Sequence, residues 1–340
     1  MRAVVVEGPG QIAVHTVADP EPPGPDGAVV QVEATAICGS DLHFYDGDLP
    51  MYPLAIGHEV VGRVAAVGPE VRRFAVGDRV LVASVTGCGH CAGCATLDPV
   101  ACEHGPLVFG GGELGGGQAD LLAVHAADFQ LLAVPEGVDD EAALLLTDNL
   151  GTGWAAARRA DIEPGATVVV LGAGAVGLCA IRSALVLGAA RVLVVDPVAG
   201  RRARAEASGA TSIEGTTVDA VLEATDGRGA PSVIDTVATD TTLDTAMGAV
   251  RNGGTVSVVG VHDMAPYPLG VLFGVLRSVT LRMTTVPVHR TWTELVPLVQ
   301  SGRLDTSGLF THAFALDDAA AAYAAAASRS DDCLKVRLTP

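Results

Sequence analysis

Residues 168–196 read VVVLGAGAVGLCAIRSALVLGAARVLVVD. A β-branched run at 168–171 leads directly into Gly172-x-Gly174-x-x-Gly177, an apolar helical segment follows to Leu187, and a second β-branched run at 192–195 ends on Asp196. Each glycine has its own task. Gly172 permits the strand-to-helix turn, Gly174 lets backbone N–H groups approach a pyrophosphate, and Gly177 lets the helix lie close to the sheet. Ala175 and Val176 complete the turn that would face the phosphates. A lone GxGxxG is weak evidence, but here it follows a strand, opens a helix and is answered by Asp196, 19 positions after Gly177. That is near the spacing expected of a ribose-binding carboxylate. The reading is a dinucleotide site that favours NAD over NADP, because Asp196 would accept from ribose hydroxyls and repel a 2′-phosphate. Arg201 and Arg202 stand near enough to soften that preference. They read more simply as solvated arginines at a helix start, and Arg201 is carried as a cofactor-contact candidate. A membrane-spanning helix over 165–181 is disfavoured, since Arg182 and Arg191 interrupt the run and both ends look like buried parallel strands.

The chain has 340 residues, room for two domains with sizeable cores. Its formal charge of −18 argues against nucleic acid or an anionic membrane as partner, since both require a basic surface. No segment reads as a signal peptide or a membrane anchor, so a soluble, cytoplasmic protein is expected. Seven cysteines in such a protein point to metal ligands or buried thiols rather than disulfides. Lysine occurs once, at Lys335.

Two metal signals precede the dinucleotide motif. The first is ATAICGSDLHFYDG, with Cys38, Ser40, Asp41 and His43, followed by GHEVVGRVAAVG with His58 and Glu59. Thiolate, imidazole and carboxylate together suit a borderline ion, and a protein shell with room for a further ligand marks a catalytic zinc site. Taken alone, a Cys and a His twenty residues apart are more often a buried thiol and a satisfied core histidine; the Gly57-His58-Glu59 triplet at a turn of a β-rich segment, with Gly62 and Gly68 recurring after it, shifts the reading toward ligands. The second signal is TGCGHCAGCATLDPVAC, with Cys88, Cys91, Cys94 and Cys102. Four sulfurs can close a tetrahedral shell around a structural zinc. An iron–sulfur cluster is the alternative, and the spacing matches neither common ferredoxin run. His90 reads as a solvated bystander.

The remaining stretches are read as follows. Strand-like runs at 3–6 and 29–34 begin a mainly β domain, with a Pro/Gly-rich connection at 19–27. A helix is expected at 140–147, and TDNLGTGWAAARRA reads as a bridge to the nucleotide domain, with Asp148 either a helix-end carboxylate, the simpler reading, or a third hard ligand for the first metal. Beyond Asp196, helices at 201–208 and 241–251 alternate with strands at 232–237 and 254–261, extending a doubly wound parallel sheet. Helices at 293–301 and 317–328 precede a last strand at 334–338.

In chain order, CGSDLH, GHE-x2-G-x5-G-x2-V, the four-cysteine run and GAGAVG with Asp196 together resemble the zinc-dependent medium-chain alcohol dehydrogenase family over essentially the whole chain. The resemblance implies an α/β fold: a Rossmann doubly wound parallel sheet at 149–282, inserted in a β-rich GroES-like catalytic domain formed by 1–148 and 283–340, with a structural zinc lobe at 88–102. It implies two zinc ions per chain, together with NAD(H).

Cys38 and His58 match catalytic zinc ligands. Asp148, where many members have cysteine and some branches aspartate, is implied as the third, and Glu59 as a nearby group or transient fourth ligand. Ser40 and His43 match a proton relay, and Asp41 a partner that orients His58. Thr152 and Val261 match residues beside the nicotinamide, and Lys335 a basic residue on the pyrophosphate. Gly39 stands where other members carry a cation, and Ser84 where some carry a bulky aromatic, implying a roomier pocket.

The implied activity is interconversion of a primary or secondary alcohol with its aldehyde or ketone by hydride transfer. A polyol or amino-alcohol dehydrogenase and an aldehyde-dismutating, formaldehyde dehydrogenase-like enzyme are alternatives on the same ligand set. A non-enzymatic NAD(H)-binding protein is a further one. The expected partner is a small-molecule alcohol or carbonyl, and the expected assembly a homodimer or homotetramer.

Overall fold

A computed structural model describes residues 1–261 and 264–340. At its centre is a six-stranded sheet in which the strand pairings are parallel. Its order is Thr211–Ser212, Arg191–Val195, Thr167–Leu171, Ala230–Asp235, Val250–Val258, Thr280–Met283. The β-branched run explains why it is covered on both faces. Successive side chains of a strand point to opposite sides, so Val168 and Val170 join one core with Leu178, Ile181 and Trp154, while Val169 and Leu171 join another with Val221, Leu243 and Ala246. Helices Ala175–Val186 and Asn149–Arg159 cover the first face, and Val218–Ala224 and Asp240–Ala249 the second.

The other large sheet takes strands from both chain ends. Its path runs Leu131–Ala133, Arg79–Val82, Glu59–Val67, Ala28–Ile37, Lys335–Thr339, Phe310–Ala315, with Leu121–Val124 also pairing Ala28–Ile37. The antiparallel register sets Val336 opposite Ile37 and Ala36 opposite Glu59. This β-rich unit with an inserted parallel sheet is the expected fold class, and its register carries Lys335, Cys38 and Glu59 toward one place. Among the described residues, no helix is long and apolar enough to cross a membrane.

Several boundaries differ from the sequence reading. The stretch read as a bridge forms helix Asn149–Arg159, with the Gly-Thr-Gly segment inside it. Glycine serves close packing there: a Cβ on Gly153 would stand 2.6 Å from the Ala180 nitrogen and the Cys179 Cβ of the neighbouring helix. The helix expected from 293 begins at Val288, because Val288, Trp292 and Leu295 form one buried stripe. The strand expected at 254–261 is Val250–Val258. It ends where the N–H groups of Val259 and Gly260 turn to the Asp235 carbonyl, which leaves Val261 at the exposed rim. The helix expected to reach Arg251 stops at Ala249, since Val250 already belongs to that strand. Strand Gln11–Thr16, helix Val218–Ala224 and helix Val271–Arg277 had no counterpart in the sequence reading.

Candidate active site

Cys38 sits where strand Ala28–Ile37 gives way to helix Gly39–Asp46. Its N–H donates to Asp41 Oδ2 at 2.9 Å, so the first helical turn fixes the position of the thiol. His58 immediately precedes strand Glu59–Val67. Asp148 occupies the break between helices Asp140–Thr147 and Asn149–Arg159, with φ −154° and ψ −74°. The fold draws these distant positions together: one ligand atom each from Cys38, His58, Glu59 and Asp148 lies within 4.8 Å of the others. His58 Nε2 is 3.2 Å and Cys38 Sγ 3.6 Å from Asp148 Oδ2. The other ring nitrogen, His58 Nδ1, faces Asp41 Oδ1 at 3.4 Å.

The electrostatics fit a place built for a cation. Burial and the neighbouring Asp148 carboxylate raise the Cys38 thiol. Burial alone would depress His58, but the carboxylates of Asp41 and Asp148 hold it well above its ordinary value. Burial raises Glu59 against the opposing pull of Lys335. Asp148 is likewise opposed by burial, yet His58 and Lys335 keep it below the usual carboxylate range. A borderline divalent ion would displace the thiol and imidazole protons and neutralise the crowded carboxylates. Glu59 Oε2 is buried with no hydrogen-bond partner among the described residues, a lone-pair oxygen that the protein itself leaves unsatisfied.

The surroundings select one oxygen of Asp148. Ser84 Oγ donates to Asp148 Oδ1 at 3.2 Å and Thr152 Oγ1 at 3.1 Å, so Oδ2 remains on the side of Cys38 and His58. Asn149 Nδ2 reaches Glu59 Oε1 at 3.0 Å and Asp148 Oδ2 at 3.3 Å. Behind Asp41, Gln118 Nε2 donates to Asp41 Oδ2 at 3.1 Å, and Tyr323 O–H donates to Gln118 Oε1 at 2.9 Å. The sequence reading missed Asn149, Gln118 and Tyr323. Only Asn149, adjacent to Asp148, carried a local signal.

A cleft of about 680 Å³ runs from this cluster to the glycine motif, lined by Ser40, His43, Thr152, Gly174, Asp196 and Val261 among others. Gly172 has φ +90°, and a Cβ on Gly177 would lie 2.1 Å from the Gly172 carbonyl oxygen. The turn therefore closes only without side chains at those positions. Gly174 starts helix Ala175–Val186 with no side-chain cap, and a Cβ there would meet nothing, so the helix N-terminus is open to an anion. Asp196 accepts from Ala173 N–H at 2.7 Å and Val198 N–H at 2.8 Å, which holds its carboxylate at the cleft wall. Arg201 also lines the cleft, and its Nε is buried without a partner among the described residues. Lys335 lines it too, but its ammonium is already committed to Glu59 Oε1 at 2.8 Å and the Ile37 carbonyl at 3.3 Å. His43 Nδ1 lies 2.9 Å from Asp48 Oδ2, toward the outer end of its helix.

Away from the cleft, one sulfur each from Cys88, Cys91, Cys94 and Cys102 lies within 4.8 Å of the others. Backbone N–H groups lower the Cys91 thiol to about 6, whereas burial pushes Cys94 up to about 12. An ion that binds thiolate would draw the remaining protons off.

Comparison with known proteins agrees along the chain. Residues 24–136 match the family model described as alcohol dehydrogenase GroES-like domain, and residues 175–301 match zinc-binding dehydrogenase. A Mycobacterium tuberculosis protein named probable zinc-binding alcohol dehydrogenase Rv1895 is 59% identical over 341 residues, covering 100% of this chain and 89% of the relative. Among solved structures, a protein named short chain alcohol dehydrogenase (rspB) of Escherichia coli, complexed with NADH, is 26% identical with TM-score 0.88, covering 100% of this chain and 99% of that one. A zinc-binding dehydrogenase of Sinorhizobium meliloti, bound to NADP, is 28% identical with TM-score 0.83, covering 100% and 99%.

Proposed function

The chain belongs to the zinc-dependent medium-chain alcohol dehydrogenase family, and from that premise we propose that it oxidises a primary or secondary alcohol, or reduces the corresponding carbonyl, with NAD(H). The observation that carries the reading is one cleft with a soft-and-hard donor cluster at one end and an open helix N-terminus at the other. Cys38, His58 and Asp148 would hold the catalytic zinc, with Glu59 in reach as a fourth donor, and the four cysteines a structural one. Bound there, zinc supplies Lewis acidity toward the substrate oxygen and the nicotinamide supplies the hydride acceptor.

The protein's own residues do the positioning and the proton work. Asp41 faces His58 Nδ1 and favours the tautomer whose Nε2 lone pair points to the cluster. Ser84 and Thr152 fix the Asp148 carboxylate through its other oxygen. Ser40 accepts the alcohol proton at its hydroxyl oxygen as it releases its own. His43, three residues on and so on the same helical face, passes that proton toward solvent, where Asp48 steadies its imidazole. Proteins of this fold bind NADH in one case and NADP in another, so the choice rests on Asp196, whose fixed carboxylate would meet a 2′-phosphate.

Polyol, amino-alcohol or aldehyde-dismutating chemistry would use the same donors. All seven cysteines are free thiols, which suits a reducing cytoplasm. Leu272, Val275 and Leu276 are more than half exposed on one helix, which supports a homodimer or homotetramer. The test is steady-state turnover of the zinc-loaded protein on a panel of alcohols and aldehydes with NAD and with NADP. We expect alcohol-dependent NADH formation with NAD preferred at least tenfold. No turnover across the panel, or a preference for NADP, would overturn the corresponding part of the reading.

A further inference from the structure

The cysteine lobe carries two histidines with no part in the cleft or the four-sulfur shell. Cys91, Cys94 and Cys102 are buried, whereas Cys88 is half-buried, and it alone of the four reaches both the shell and the surface. Besides the other sulfurs, Cys88 gathers with exposed His90 and His104, and a ligand atom of each of the three lies within 4.8 Å of the others. His90 Nδ1 is 2.9 Å from the Cys88 carbonyl oxygen. A carbonyl can only accept, so Nδ1 is the donor here, which leaves Nε2 as the ring nitrogen that can face a metal. The two rings lie 6.1 Å apart. With Zn–N bonds of about 2.0–2.1 Å, two imidazoles on one tetrahedral ion would sit roughly 5 Å apart. A rotation of either exposed side chain closes that difference.

We propose that Cys88, His90 and His104 form a third, outward-facing site for a borderline divalent cation such as zinc, through which the ion in the four-sulfur lobe exchanges with solvent. The proposal rests on the lobe holding zinc. The three buried sulfurs give a newcomer no first contact; half-buried Cys88 and the two histidines provide one. The exchange is balanced, since one divalent ion enters as another leaves and Cys88 stays a thiolate throughout. Nothing is oxidised or reduced.

The test compares the zinc-loaded enzyme with its His90→Ala/His104→Ala variant. Both substitutions are on the surface and outside the cleft, so alcohol turnover serves as a folding control and is expected to be unchanged. Titration with Co(II) should fill one further site in the parent, with a thiolate-to-cobalt charge-transfer band contributed by Cys88, and the variant should lose it. Isotopically labelled zinc should enter the lobe at least tenfold faster in the parent. Identical titrations, a cobalt site without the thiolate band, or equal exchange rates would each overturn the proposal. Failure of the lobe reading is distinguishable, because the untreated enzyme would then show four titratable lobe thiols and only one zinc per chain.

Discussion

Lys335 Nζ lies 2.8 Å from Glu59 Oε1, and both side chains are sealed from solvent. The lone lysine of the chain thus joins its last strand to the strand that follows His58. Burial would lower the Lys335 pKa, but Glu59 holds it above its ordinary value. Removing one partner of a buried pair leaves an uncompensated charge and costs about 3–5 kcal/mol. Lys335→Met should lower stability to denaturant by that order, and adding Glu59→Gln should recover part of it. A Lys335→Met protein as stable as the parent would show that the pair contributes nothing.

Gly177→Ala places a Cβ 2.1 Å from the Gly172 carbonyl oxygen, a backbone atom that cannot swing aside. The helix must move off the strand. Overpacking of this kind costs about 1–3 kcal/mol, and the displaced N-terminus should also weaken cofactor binding. Denaturant unfolding and NADH fluorescence titration measure the two effects. Unchanged NADH affinity would remove this turn from the cofactor site.

Ser84→Ala removes one of the two hydroxyls on Asp148 Oδ1. Loss of a group that orients a metal ligand costs about 10–100-fold in metal affinity or activity, and Thr152 remains, so the lower figure is expected. Competition with a chelator should show weaker retention of the catalytic ion while the lobe ion is unaffected. Equal weakening of both would mark the effect as general destabilisation.

His289 is stacked on Phe129 at 4.0 Å between ring centroids, with Nε2 3.0 Å from Gln130 Oε1. Burial lowers its pKa to about 3. A folded-state pKa below the unfolded value of about 6.5 means that the unfolded chain takes up the proton first, so stability falls as pH drops from about 6.5 toward 3. Between pH 7 and pH 5 this one group should account for about 2 kcal/mol. His289→Phe should reduce the pH dependence of stability by that amount, and an unaltered dependence would show that His289 titrates normally.

Much of the site lay open to sequence reading because its signals are short. Gly172 to Asp196 spans one turn, one helix and one strand, and Cys88 to Cys102 one compact lobe, and such short-range patterns survive without knowledge of the fold. Ser84 and Gln118 could not be placed that way: their partners Asp148 and Asp41 are 64 and 77 residues distant. Tyr323 lies 205 residues from Gln118. The Gly-Thr-Gly segment at 151–153 misled for a related reason. Glycine there serves contact between two helices, a demand made by the Cys179–Ala180 backbone and invisible within the segment itself. The approach of His90 to His104 is likewise out of reach of a local pattern, since the two rings meet only once the lobe has closed.

The central claim is that Cys38, His58 and Asp148 hold an ion without which the cleft binds cofactor but does no chemistry. Metal content, NADH binding and alcohol-dependent NADH formation, measured together on His58→Ala, test it most directly. We predict one zinc per chain instead of two, NADH affinity within about threefold of the parent, a difference of roughly 0.7 kcal/mol, and turnover reduced to background. Parent-level turnover by a His58→Ala protein that holds a single zinc would contradict the account.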